Sequence, residues 1–174
     1  MKSLKKTFFG VVFLAVIFFI WAAALPEKLD MTKTRNVQMP ADSLYQHISD
    51  FENWLSWFPW RDSAMNITVN DSAGPGQRLE WEHEIQGKGY MEMDSLYPDS
   101  LIILEIAFIE EAPSLRSDIR LIPKATGETE ISWRMYDTTQ WEYPLGRVRA
   151  FMIQKMAGRN IQKAMDDLSS QLPR

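Results

Sequence analysis

Two histidines, His47 and His83, are the side chains of this chain best suited to proton transfer near neutral pH. His47 follows Tyr45 in a short helical pattern and is expected at the surface. His83 is in an alternating segment, 77–85. There Leu79, Trp81, His83 and Ile85 share one face, and Arg78, Glu80, Glu82 and Glu84 share the other. An inward imidazole can orient a ligand or act as a general acid or base. It can equally be a partly buried group bonded to backbone or water. His83 is therefore a weak catalytic candidate, with too few inward titratable residues around it for acid–base chemistry. The chain has no cysteine, which excludes disulfides, thiolate metal sites, a cysteine nucleophile and a lipid-modified cysteine. No HExxH, paired-histidine or carboxylate cluster has metal-ligand spacing, so no metal and no cofactor is expected. Gly87-Lys88-Gly89 precedes a strand pattern instead of a helix, so it reads as a hairpin turn and not a phosphate loop.

The remaining chemistry is that of large apolar side chains. Asp50 to Trp60 reads DFENWLSWFPW. Asp50 is placed to cap a short helix by accepting from the N–H of Asn53. Trp54, Trp57 and Phe58 then fall at i, i+3 and i+4, and Pro59 ends the helix. Trp60 and Arg61, just beyond, are placed near a cavity mouth. Trp81, Trp133, Met91, Met93, Met135, Met152 and Met156 add to the apolar set. Methionine reshapes easily and is common on surfaces that accept varied apolar partners. The expected ligand-binding set is thus Trp54, Trp57, Trp81, His83, Met91, Met93, Trp133, Met135, Met152 and Met156. For any one of them, plain core is the competing reading.

These residues need a scaffold. Residues 7–25 form an uncharged run of nineteen, long enough as a helix to cover about 28 Å, close to a bilayer's hydrocarbon core. Lys2, Lys5 and Lys6 precede it, which puts the N-terminus in the cytoplasm and the rest outside. Trp21 sits near the far end, where an interfacial aromatic is favourable. Ala22-Ala23-Ala24 also fits a cleavage site, so an uncleaved anchor and a cleaved signal peptide both stand. Either exports the domain. The expected division is an anchor over 1–26, a tether over 27–31 and a domain over 32–172. Beyond the anchor, 16 basic residues face 23 acidic ones, a net of −7 that argues against a nucleic-acid partner.

Strand patterns run over 32–39, 65–70, 77–85, 90–96, 101–109, 115–122 and 129–136. Two short helices follow the first. The 101–109 segment is apolar on both faces except Glu105, as a central or doubly covered strand would be. In 115–122, Leu115, Ile119 and Leu121 face inward, and Arg116, Asp118 and Arg120 outward. In 129–136, Ile131, Trp133 and Met135 face inward. Residues 145–172 keep an apolar helical spacing through Leu145, Val148, Phe151, Met152, Met156, Ile161, Met165, Leu168 and Leu172, with Gly158 marking a kink or a close contact. An antiparallel sheet with one polar face needs a cover, and this helix is the only element large enough. The fold class expected is α+β: a curved antiparallel sheet gripping a long C-terminal helix, preceded by a transmembrane helix.

The pattern resembles the START-like (SRPBCC) superfamily, and within it the polyketide cyclase/dehydrase and lipid-transport group. The residues that carry the likeness are Met39-Pro40, Ser49-Asp50-Phe51, Asn53-Trp54, Trp57, Pro59-Trp60, Gly74-Pro75-Gly76, Trp81, Gly87-Lys88-Gly89, Met91-Glu92-Met93, Trp133, Met135 and Pro144-Leu145-Gly146-Arg147. They extend in order over 31–172. Phe58 departs from the small polar residue usual there, which enlarges the aromatic face. The resemblance implies a helix-grip fold with a deep cavity between sheet and long helix. It implies lipids, sterols, polyketides or plant hormones as ligands, with a minority of members catalysing cyclisation or dehydration. The expectation is a single-pass protein of the inner membrane, its domain on the periplasmic side, binding a hydrophobic small molecule or lipid. The alternatives are a structural or interaction protein with a vestigial cavity, and a cyclase/dehydratase using His83.

Overall fold

Alternating apolar and polar residues over most of the chain build one sheet. The computed structural model describes residues 2–84, 87–108, 114–125, 127–137 and 141–172. Its strands are β1 (Asp30–Val37), β2 (Asn66–Val69), β3 (Arg78–His83), β4 (Gly87–Tyr97), β5 (Leu101–Phe108), β6 (Leu115–Pro123) and β7 (Thr129–Tyr136). They pair antiparallel throughout, in the order β1-β7-β6-β5-β4-β3-β2. Helix α1 (Lys2–Ala23) precedes the sheet and α3 (Leu145–Gln171) follows it. Between β1 and β2 come α2 (Ala41–Ile48) and a 3-10 helix (Phe51–Ser56). The α+β helix-grip architecture expected from the sequence is the one observed.

Strands β2 to β7 are neighbours in chain order, as short antiparallel connections allow. Strand β1 comes first yet pairs with β7, so α2 and the 3-10 helix carry the chain from one sheet edge to the other. β5 takes the centre. Its Ile102, Leu104 and Ile106 are fully buried, while Leu101, Ile103 and Glu105 on the other face are half-exposed. Its doubly apolar sequence therefore reflects a central position with one covered face. The charged outer face is knitted by pairs such as Lys88–Glu82 at 2.7 Å and Lys124–Glu130 at 2.9 Å.

The second half of α3 covers the sheet. Ile161, Met165 and Leu168 are buried in the same core as Ile48, Trp57, Ile119, Ile131 and Trp133. The first half runs along the β1 edge. A Cβ built on Gly158 would lie 3.3 Å from both Lys33 Cε and Met31 Sδ, so this glycine marks a close contact.

Several local expectations are corrected. β1 begins at Asp30, two residues before the expected start, because its ladder with β7 opens at Asp30–Tyr136. The helix capped by Asp50 is of the 3-10 type, and the carboxylate accepts from Glu52 N at 3.0 Å instead of Asn53. Gly87, Lys88 and Gly89 belong to β4, paired with His83, Glu82 and Trp81 respectively. Asp118 faces outward as expected but is buried, its carboxylate 3.7 Å from Arg120. Ile85 and Ile109 lie outside the described residues.

Candidate ligand site

Two aromatic groups fill the inside of the sheet. In the first, the 3-10 helix delivers Phe51 and Trp54, and Trp57 follows it. Trp54 lies 5.1 Å from Phe51, 4.4 Å from Trp57 and 5.4 Å from Trp133, between ring centroids. In the second, Phe58 and Trp60 meet Trp81 of β3, with Trp60 stacked on Trp81 at 5.8 Å and 16°. Phe108 closes that group edge-on against both tryptophans. Such ring pairs add about 0.5–1.5 kcal/mol each beyond their burial, so the groups fix one another's positions. Met91, Met93 and Met135 are fully buried in the same core.

The polar groups in this interior hold structure together. Trp54 Nε1 donates to Ile48 O at 3.0 Å, which fastens the 3-10 helix to the end of α2. Trp133 Nε1 donates to Ser117 Oγ at 2.7 Å. Thr129 Oγ1 donates to Met39 O at 2.7 Å. Gln77 is buried and works in two directions: its Oε1 accepts from Phe51 N at 2.8 Å, and its Nε2 donates to Asp50 Oδ1 at 2.7 Å. The sequence reading passed over Gln77 and Ser117 because each is a single polar residue in an otherwise regular strand pattern. Only the partner brought against it across the fold reveals its role.

One buried donor is different. Trp60 Nε1 is buried and meets no acceptor among the described residues. A buried N–H without a partner costs about 1–3 kcal/mol, so an acceptor supplied from outside would be held there. His83 is on the same strand, two residues beyond Trp81, and is half-buried at the rim. Nearby Asp62 is held below the ordinary carboxylate range, first by the Ala64 N–H at 3.0 Å and also by the charge of His83. His83 and Asp62 thus lie near each other at the edge of the sheet.

Seven of the ten expected ligand-binding residues come together in the core: Trp54, Trp57, Trp81, Met91, Met93, Trp133 and Met135. His83 sits at the edge. Met152 and Met156 do not join them. They are 65% and 46% exposed on the outer side of the first half of α3. Their spacing matched the apolar stripe, but this half of the helix presses Ala150, Ala157 and Gly158 inward. Beneath the second half of α3 the interior is tightly filled. The space bounded by Ile48, Trp57, Ile119, Ile131, Trp133, Met165 and Leu168 is too small to admit a water-sized sphere. No group of three or more His, Asp or Glu suited to a metal ion occurs among the described residues.

A curved sheet closed by a long helix over an aromatic and methionine-rich interior defines the helix-grip class. The chain belongs to the polyketide cyclase/dehydrase and lipid-transport family, whose profile matches residues 28–172. Family and fold together suggest a domain for hydrophobic ligands. A protein from Chromobacterium violaceum superposes with a TM-score of 0.62 at 16% identity, covering 84% of this chain and 99% of that one. A START superfamily protein from Mycobacterium smegmatis gives 0.57 at 20% identity, covering 82% and 95%. The di-domain ARO/CYC StfQ of the steffimycin biosynthetic pathway gives 0.63 at 11% identity, covering 82% of this chain and 50% of that one. At these identities the likeness is one of fold. A comparison with curated proteins finds no match.

Proposed function

We propose that this chain is a membrane-tethered domain that binds a lipid-like or other hydrophobic small molecule inside the sheet, next to Trp60 and Trp81. The carrying observation is the buried indole N–H of Trp60, which meets no acceptor among the described residues of an otherwise apolar, aromatic-walled region. Phe108 and His83, both half-buried, mark the side on which a ligand gains access. Met91 and Met93 make room by changing rotamer, for which their unbranched side chains are suited. Each Å² of apolar ligand surface buried contributes roughly 25 cal/mol, and a ligand oxygen on Trp60 Nε1 sets orientation. Helix α1, apolar over Lys5–Ala23 and largely exposed, supports the tether, although a signal sequence would have the same length and composition. The lysines before it favour a domain on the outer side of the inner membrane, with 27–31 as the link.

Native mass spectrometry of the full chain, released from nanodiscs made with native lipids, tests this. A discrete adduct lost on denaturation is expected, with lower occupancy in Trp60→Phe, which keeps a ring and removes the donor. A second reading has its own support in the closed packing around Trp57, Trp133 and Met165. In that reading the interior serves stability alone and the domain is an interaction module. A clean mass, with no thermal shift across a lipid and polyketide panel, would decide for it.

A further inference from the structure

The first half of α3 groups large exposed apolar side chains on one face. Leu145, Met152 and Met156 are 71%, 65% and 46% exposed, and with Arg149, Lys155 and Arg159 they form one outward stripe at helical spacing. From Leu145 to Arg159 there are four basic residues and no acidic one, on a chain whose net charge is −4. A grouped apolar surface flanked by cations is the composition of a helix that lies in a membrane interface, not one that faces water.

Its neighbour gives the location. The last turns of α1 pack directly on the start of α3. Tyr143 Oη donates to Phe19 O at 2.8 Å, and Arg147 donates to Ala23 O at 3.2 Å and pairs with Glu27. Trp21 meets Phe151 edge-on at 6.3 Å. An α1 that crosses a bilayer would put Phe19 and Trp21 near the boundary between hydrocarbon and headgroups. What they touch would then lie at the same depth.

We infer that the Leu145–Arg159 face of α3 rests on the surface of the bilayer that α1 enters, with its apolar side chains among the acyl-chain ends and its cations on anionic phospholipid headgroups. This rests on the membrane-spanning reading of α1. It fixes the orientation of the domain, with the β1 edge of the sheet toward the lipid and the β2 edge away from it.

The absence of cysteine makes the test direct. Val11→Cys, Met152→Cys and Thr68→Cys are each labelled with an environment-sensitive fluorophore in the full chain. Each is placed in phosphatidylcholine nanodiscs with or without phosphatidylglycerol, carrying a headgroup-region nitroxide quencher. Thr68 lies exposed on β2, at the far sheet edge. Expected are a lipid-buried Val11 probe, strong quenching at Met152 that increases with phosphatidylglycerol, and no quenching at Thr68. In Lys155→Gln/Arg159→Gln the phosphatidylglycerol-dependent part should fall roughly tenfold or more. A buried Val11 probe with Met152 quenched no more than Thr68 overturns the inference and leaves the tether standing. A Val11 probe outside the bilayer overturns both. Shielding at Met152 that follows protein density instead of lipid quencher reports a second copy or a protein partner, and also overturns it.

Discussion

Single residues in this fold carry roles that their types alone do not announce. Gly89 is paired with Trp81, and a Cβ there would sit 2.2 Å from Trp81 Cζ2 and 2.6 Å from Ala107 O. A backbone oxygen cannot retreat as a side chain can, so Gly89→Ala should destabilise the chain by about 2 kcal/mol or more and displace the Trp81 ring. The readouts are denaturant unfolding and the tryptophan near-UV circular dichroism. Gln77→Ala removes the acceptor of Phe51 N–H and the donor to Asp50 together. A loss of about 1–3 kcal/mol is expected in urea titration. Met91 and Met152 give a matched contrast, since one is fully buried and the other mostly exposed. Met91→Ala should lose about 2–5 kcal/mol, and Met152→Ala no more than about 0.5 kcal/mol.

Among elements, the pairing of β1 with β7 forms one edge of the sheet, and a charge pair sits at its start. Arg134 reaches Asp30 with two bonds, Nε to Oδ1 at 2.9 Å and Nη2 to Oδ2 at 2.7 Å. The bonded guanidinium holds the Asp30 carboxyl below its ordinary value. A carboxyl depressed in the folded state stabilises it above the unfolded pKa, near about 4, and that contribution is lost as pH falls through the lower folded value. Both side chains are about half exposed, so solvent screening limits the gain to about 1 kcal/mol or less. The gap in urea midpoint between the native chain and Asp30→Asn should hold at pH 7 and close on acidification toward pH 3. Helix α3 shows a second division at this scale. Its second half packs on the sheet through Ile161, Met165 and Leu168, while its first half meets β1 at Gly158 and α1 through Arg147 and Phe151. One continuous helix therefore serves a core and a surface of different chemistry.

At the scale of the whole molecule, the proposed tether turns on α1. Its Lys5–Ala23 stretch is exposed and long enough to cross a bilayer. If it remains attached, the full chain should stay in the membrane pellet after alkaline carbonate extraction, and the chain without residues 1–24 should be released. A mature N-terminus at residue 25, read by mass spectrometry, would identify a cleaved signal instead.

Much of the architecture was legible in the sequence because period-2 and period-3.6 patterns are local. Strand β7 was read with its observed bounds, and α3 to within a residue. The alternation from Leu79 to Trp81 and from Met91 to Met93 placed those side chains inward, and they are inward. The aromatic cluster after Asp50 also followed from spacing, although its helix type did not. A 3-10 turn differs from an α turn by one residue in each bond, and the helix start is held by Gln77, twenty-six residues away from Phe51. Tertiary structure alone decided the rest. Met152 and Met156 fit the apolar stripe as well as Met165 does, but α3 rolls Ala150, Ala157 and Gly158 against its neighbours, because small residues permit the closest approach. Whether the aromatic interior is open or closed depends on how side-chain volumes from four elements sum in one place. At Trp57, Trp133 and Met165 they close it. Periodicity states which way a side chain points, and packing across the fold determines what it meets there.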